Sequence, residues 1–193
     1  MRVLLLGPAR PALEARIASL GDELVRTEAR LDSDDPLLAG ADFLISYGFR
    51  HLIPASVLAP FGERAINLHI SLLPWNRGAD PNLWSYLEDT PKGVSIHVLD
   101  VGLDTGPLIA QREVCDEPDD TLKTSYERLV TEIEALFCEV WPDVRASRVV
   151  SREQQGGGSV HRSADKQPYK NLLTVGWDTP VSTLRGVAIA KER

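Results

Sequence analysis

The chain has 193 residues, 43% of them hydrophobic and 25% charged, which fits one globular domain or a domain with a small appendage and excludes disorder, collagen and coiled coil as whole-chain descriptions. Lys and Arg number 21 against 28 Asp and Glu, a net charge of −7 that argues against a nucleic-acid groove as the main working surface. Cys115 and Cys138 are too few for a disulfide framework and too far apart for a metal clip, and no apolar run reaches signal-peptide or membrane-span length, so a cytoplasmic enzyme or binding protein with reduced thiols is expected.

Residues 2–7, Arg-Val-Leu-Leu-Leu-Gly, form a continuous apolar run ending in glycine, as a parallel strand buried on both faces requires. A helix is predicted over 11–20, with Pro11 at its start, Leu13, Ile17 and Leu20 on one face and Gly21 as its stop. Strands follow at 23–27 and 41–47, separated by the acidic loop Asp32-Ser33-Asp34-Asp35-Pro36. After a short helix at 54–58, residues 65–70 alternate strictly, so Ala65, Asn67 and His69 point to one side. A helix is expected over 80–87. An alternating strand over 93–99 sets Ser95 and His97 opposite Val94, Ile96 and Val98, and a further strand covers 107–114. The longest amphipathic stretch, 121–140, carries Leu122, Tyr126, Leu129, Ile133, Leu136 and Val140 at threes and fours and should cover the sheet.

Strands and helices in this order predict an α/β fold, an open, mostly parallel Rossmann-like sheet with ligands at its strand ends. Beyond Pro142 the pattern weakens. Residues 148–151, the run Gly156-Gly157-Gly158 and Gly176-Trp177-Asp178-Thr179-Pro180 suggest a short hairpin and an irregular tail. The expected division is a catalytic domain over 1–145, with a hairpin and tail over 146–193 packing on the same domain.

Asn67-Leu68-His69 places an amide and an imidazole on the same side of a strand end, able to converge on one atom. About 30 residues later, Asp100-Val101-Gly102-Leu103-Asp104-Thr105-Gly106 is a glycine-bracketed loop with two carboxylates. On spacing alone, Asn67 and His69 could merely cap a strand end, and Asp104 could be a turn residue. Together with Ser71-Leu72-Leu73-Pro74, Gly78 and Leu103-Asp104-Thr105-Gly106, however, the set resembles the formyltransferases that use 10-formyltetrahydrofolate, over roughly residues 41–114.

That resemblance implies transfer of a formyl group to an amine through a tetrahedral oxyanion. Asn67 and a protonated His69 would donate to the oxyanion, and Asp104 would orient His69 and help remove the amine's proton, with no metal required. It further implies a folate site drawing on Tyr47, Ile96, Asp100, Val101 and Leu103. Val101 departs from the acidic residue often found there, and Asp100 also reads as a turn residue. His97 reads as a structural hydrogen-bonding residue, and His51 and His161 read as surface residues.

Family members differ in the amine they formylate, and fold alone does not choose among them. Methionyl-tRNA formyltransferases carry a further C-terminal domain and basic surfaces, which fit poorly with 193 residues and −7. Glycinamide ribonucleotide formyltransferases cradle a phosphate in a Ser- and Gly-rich turn after the first strand; here the turn is Gly7-Pro8-Ala9-Arg10-Pro11, and two prolines remove two N–H donors. The segment 71–85, with Trp75, Asn76 and Arg77, and Ser46-Tyr47-Gly48-Phe49-Arg50-His51 are most similar to the sugar N-formyltransferases. This similarity implies a nucleotide-linked amino-dideoxysugar as acceptor, dTDP-linked by expectation. Trp75 would stack on sugar or base, Asn76 would bond hydroxyls and Arg77 would neutralise the diphosphate. Partners are then small molecules rather than nucleic acid or membrane, with a homodimer left open. The alternatives kept are the glycinamide ribonucleotide enzyme and a folate or nucleotide-sugar binding protein without turnover.

Overall fold

The computed structural model describes residues 1–188, so the last five residues of the expected tail lie outside the described part. The chain forms two compact units, each assembled from three separate segments: 1–69, 96–110 and 134–154 in the first, and 70–95, 111–133 and 155–193 in the second.

The first unit holds the parallel sheet. Strands β1 (Arg2–Leu6), β2 (Glu23–Thr27), β3 (Phe43–Tyr47) and β4 (Ala65–His69) pair in the order β2-β1-β3-β4, all parallel. β1 and β3 are buried almost end to end, as their unbroken apolar sequences foretell. Helix α1 (Pro11–Ser19) begins at a proline that needs no N–H partner, and Glu14 reaches back to accept the Arg10 N–H at 3.0 Å. Helix α2 (Ala55–Leu58) contributes Val57 and Leu58 to a core with Leu4, Leu6, Leu31, Leu44, Phe61 and Ala65. Trp141 meets the edge of Phe43 at 5.0 Å and stacks on Phe137 at 5.2 Å.

The sheet is completed beyond β4 by β6 (Gly93–Val98) and β7 (Leu108–Glu113). In the first unit, Leu99 N–H donates to Ala65 O at 2.8 Å, joining the exit of β6 to the entry of β4, so β6 runs opposite to the four parallel strands. Val98 N–H bonds Pro107 O at 2.8 Å and closes the loop to β7 as a hairpin. The return is tight: a Cβ at Gly106 would run into Val98 O, so only glycine fits there.

The second unit is built around α3 (Pro81–Leu87), every residue of which is buried, with Leu83, Trp84, Tyr86, Leu87, Leu122, Val181, Leu184 and Ala188 as its core. It holds the first part of α4 (Leu122–Val144), a helix that continues four residues past the expected end and through Pro142. Among the described residues, no antiparallel hairpin follows residue 145. Instead β8 (Val160–His161) pairs parallel with β5 (Arg77–Gly78), Arg152 makes a single antiparallel bridge to Leu108 in the first unit, and the tail turns through short 3-10 segments at Gln167–Leu172, Gly176–Asp178 and Val181–Thr183. Two-residue pairing suffices because Gly158 and Ser159 are drawn onto the 74–77 turn: Ser159 N–H bonds Pro74 O, and Arg77 N–H bonds Ser159 O. No described helix is long and apolar enough to cross a membrane.

Candidate active site

Strand β4 ends at His69, and its pleat puts Asn67 and His69 on one face. The Leu99 to Ala65 bond sets the register so that His97 of β6 lies directly across from Asn67. The contact follows: Asn67 Nδ2 is 3.2 Å from His97 Nε2. The loop after β6 then returns Asp104 over the same spot, where Asn67 Nδ2 donates to Asp104 Oδ1 at 3.0 Å and Asp104 Oδ2 stands 3.6 Å from His69 Nδ1. The three expected catalytic residues therefore meet, although Asp104 is 35 and 37 positions from the other two. His69 is 7% exposed and Asp104 retains 12% side-chain exposure, so the cluster is sheltered but reachable.

His97 belongs to this cluster rather than to the scaffold alone. Its Nδ1 is 2.8 Å from Val98 O, and a carbonyl can only accept, so Nδ1 carries the hydrogen. Nε2 faces both the Asn67 amino group at 3.2 Å and Asp104 Oδ1 at 3.4 Å. The Asp104 carboxylate oxygen, which can only accept, fixes which end of the Asn67 amide is nitrogen. Strict alternation around 97 already placed His97 on the face opposite the core residues. What sequence lacked was the antiparallel register that sets 97 against 67.

The Asp104 loop is held from two sides within its unit. Asp100 accepts the Gly102 N–H at 3.0 Å and the Thr105 hydroxyl at 2.8 Å, so its carboxylate shapes the loop. Gln154 Nε2 donates to Asp104 O at 2.8 Å and Gly106 O at 2.9 Å. Nothing in the sequence marks Gln154; it stands beyond the long helix in a segment that reads as tail.

The folate set divides. Val101 is 82% exposed and Leu103 38%, apolar side chains open to solvent on the loop that carries Asp104. Ile96 is fully buried, so its side chain packs in the core instead. Tyr47 is 3% exposed, with the Arg10 guanidinium 4.2 Å above its ring, so that face is already covered.

Among the acceptor set, Trp75 and Arg77 are half-buried on the 71–78 turn. Asn76 is not a hydroxyl contact: it is completely buried with φ of 56°, its Nδ2 donates to Thr90 Oγ1 at 2.8 Å, and its backbone N–H goes to Ser159 Oγ at 3.0 Å. Ser95 Oγ anchors this turn, donating to Ser71 O at 2.7 Å and accepting from Leu73 N–H and Gln111 Nε2. His161 also departs from expectation: it is buried, stacked on Trp84 with ring centroids 3.7 Å apart and Nε2 3.1 Å from Glu88.

The second unit holds a polar network that the sequence did not reveal. Lys92 Nζ bonds Asn82 Oδ1 and Ser85 Oγ, both at 2.9 Å, and lies 3.8 Å over the Tyr86 ring. The Tyr86 hydroxyl contacts Asp116 Oδ1 at 3.0 Å and Ser125 Oγ at 2.8 Å, and Ser125 Oγ reaches Asn82 Oδ1 at 2.8 Å. Burial pushes the Lys92 ammonium down to about 7, against the upward pull of Asp116 and Asp120, and the same burial raises the Tyr86 phenol. Burial alone would raise Asp120, but hydrogen bonds from Arg128, Glu117 N–H and Thr124 hold it down at about 2.

The pattern of the family described as formyl transferase matches residues 27–141. The formyltransferase PseJ from Anoxybacillus kamchatkensis, solved in complex with UDP-4,6-dideoxy-4-formamido-L-AltNAc and tetrahydrofolate, is 52% identical, with a TM-score of 0.95 over 97% of this chain and 100% of that one. The dTDP-4-amino-4,6-dideoxyglucose formyltransferase of Mycobacterium tuberculosis is 30% identical over 68% of this chain and 55% of its own length. The methionyl-tRNA formyltransferase of Trichlorobacter lovleyi is 27% identical over 74% of this chain and 45% of its own. The chain thus spans about half the length of these two curated relatives.

Proposed function

Because the chain belongs to the formyl transferase family, we propose that it moves the formyl group of 10-formyltetrahydrofolate onto the primary amine of a nucleotide-linked amino-dideoxysugar. The observation that carries this reading is the convergence of Asn67, His69, His97 and Asp104 at the end of β4. The relative at 52% identity holds a UDP-linked formamido sugar, which favours UDP over the dTDP expected from sequence and an amine at carbon 4. The proline-interrupted turn after β1, Gly7-Pro8-Ala9-Arg10-Pro11, disfavours a free ribose phosphate.

The formyl donor supplies an activated carbonyl carbon, and the loop bearing Val101 and Leu103 suits it. A flat ligand can cover two exposed apolar side chains on a loop whose base Asp100 and Gln154 hold rigid. As the amine attacks, a carbon–nitrogen bond forms, negative charge develops on the formyl oxygen, and the bond to the folate nitrogen then breaks. His69 as imidazolium places a donor toward that oxygen. Asp104 Oδ2, 3.6 Å from Nδ1, faces the ring and orients it. Asn67 adds a second donor by exchanging its Asp104 Oδ1 contact for the formyl oxygen while His97 Nε2 keeps the amide aligned. Released from Asn67, Asp104 takes the proton that the amine loses and passes it on to the departing folate nitrogen.

One assay by mass spectrometry tests the reading: protein, formyl donor and a panel of UDP- and dTDP-linked 3-amino and 4-amino sugars beside glycinamide ribonucleotide. A mass gain of one formyl group on an amino-sugar nucleotide is expected. Transfer to glycinamide ribonucleotide alone, or loss of the formyl group to water regardless of amine, would overturn it.

A further inference from the structure

Asp104 reaches Asn67 and His69 from a backbone that few side chains adopt: its φ is 53°, in the left-handed region. The aim of the carboxylate depends on that twist. At a common negative φ the Cα–Cβ bond would be turned by more than about 100° around N–Cα, carrying Oδ1 off the Asn67 amide and Oδ2 away from His69. Aspartate tolerates the left-handed region better than most residues, yet toleration does not select it, so contacts within the loop must.

Those contacts bracket the residue and lie wholly within the segment 96–110 of the first unit. The Asp100 carboxylate accepts the Gly102 N–H at 3.0 Å and the Thr105 hydroxyl, whose Oγ1 is 2.8 Å from both carboxylate oxygens. One anchor precedes Asp104 by two residues and the other follows it by one, so the chain between them has to reverse within three residues. Gly106 fixes the next position, because a Cβ there would strike Val98 O. Gly102 is fitted to the same contact. A Cβ at 102 would take the place of Thr105 Oγ1, although Gly102 itself lies outside the left-handed region, at a φ open to other residues. Glycine is required there to admit the hydroxyl, not to make a turn.

Resting on the proposed function, we infer that Thr105 is a positioning residue for Asp104: its hydroxyl, admitted by Gly102 and held by Asp100, locks the left-handed backbone at 104 and so aims the carboxylate at Asn67 and His69. Gln154 does a different job. It holds the Asp104 carbonyl, which lies on the other side of Cα from the φ bond, and so sets where the loop lies rather than which way the side chain leaves it.

The test measures turnover and the backbone at 104 side by side in the full chain, for wild type, Thr105→Val, Thr105→Ser and Gly102→Ala. Three-bond HN–Hα couplings and Cβ shifts read φ at 104, and the unfolding midpoint checks folding. Thr105→Val exchanges the hydroxyl for a methyl at nearly constant shape; it is expected to lose the left-handed signature at 104 and roughly tenfold or more in kcat, with the midpoint nearly unchanged. Thr105→Ser should restore both. Gly102→Ala keeps the hydroxyl but displaces it, and should behave like Thr105→Val. In an Asp104→Asn background, Thr105→Val should cost no further rate, since a residue that acts only through the carboxylate has nothing left to aim. A left-handed residue 104 retained in Thr105→Val, or an equal loss of rate in the Asp104→Asn background, overturns the inference while leaving formyl transfer standing. Absence of formyl transfer to every amine by the wild-type chain overturns the proposed function itself, and the backbone measurement then decides the role of Thr105 alone.

Discussion

Two polar clusters, one in each unit, use the same kinds of side chain to opposite ends. Around Asn67, an amide, two imidazoles and a carboxylate lie within 3.0 to 3.6 Å, but the His69 to Asp104 separation is longer than a hydrogen bond and Asp104 keeps partial exposure. Around Lys92, the contacts run from 2.8 to 3.0 Å and tie α3 to α4 through Asn82, Ser85, Tyr86 and Ser125. The first cluster sits at a strand end and a loop, sheltered but with Asp104 partly exposed to whatever binds there. The second spends nearly all of its hydrogen-bonding capacity internally and rigidifies a helix. Placement at an accessible strand end, rather than the presence of polar residues, is what separates a candidate for chemistry from a brace.

The largest effect expected from this contrast is on turnover at the first cluster. His69→Asn and Asp104→Asn should each lower kcat by roughly 10²- to 10⁴-fold, with folate affinity and the unfolding midpoint nearly unchanged. A stability loss comparable to a core substitution, with modest loss of rate, would place these residues with the braces instead. Next comes His97. His97→Leu removes the acceptor that holds the Asn67 amide and should cost about 10- to 100-fold in kcat, while His97→Gln, which restores an oxygen acceptor, should recover part of it. Equal loss in both variants would mean that the imidazole itself takes part in proton transfer.

The contrast also explains what the sequence made legible. The four parallel strands, α1 and α4 were legible because buried strands write continuous apolar runs and an amphipathic helix repeats at threes and fours, whereas Asn67, His69 and Asp104 were singled out through the family resemblance, since their spacing alone fits a strand cap and a turn as well. His97 was visible as a position but not as a partner, since cross-strand register depends on one backbone bond, Leu99 to Ala65, that no local pattern encodes. Asn76 was misassigned because its left-handed backbone and burial come from Ser159 and Thr90, and Ser159 lies 83 residues away. The Lys92 brace draws on residues from 82 to 125, each ordinary in its own neighbourhood. The tail misled most: without apolar periodicity it reads as a hairpin or coil, yet it supplies Gln154 to one unit and Lys166 and Trp177 to the other.

The brace can be tested through its proton. Folded Lys92 releases its proton at about pH 7, and in the unfolded chain it holds that proton to its ordinary value near 10.4. Between those limits the unfolded state binds more protons, so stability from this group rises with pH, by about 1 kcal/mol per unit, while below pH 7 its burial cost is fully present. Urea unfolding at pH 7, 8 and 9 should show wild type gaining on Lys92→Met across the series. Parallel pH dependences would show that the ammonium stays charged in the fold, satisfied by Asn82 and Ser85, and the distinction between brace and reactive cluster would narrow.

The smallest expected effect is at Gln154, which belongs to neither cluster but holds the loop of one. Gln154→Ala removes two donors to Asp104 O and Gly106 O, carbonyls near solvent that water can re-satisfy, so a loss of only about 1 kcal/mol in stability is expected. The loop should loosen, read as faster hydrogen exchange at Gly102 and Thr105, and KM for the formyl donor should rise a few-fold with kcat little changed. If kcat instead falls as far as in Asp104→Asn, the side chain of Asp104 is placed by that distant amide rather than by its own turn. Preorganisation of the Asp104 loop by Gln154 would then be the property that marks the site.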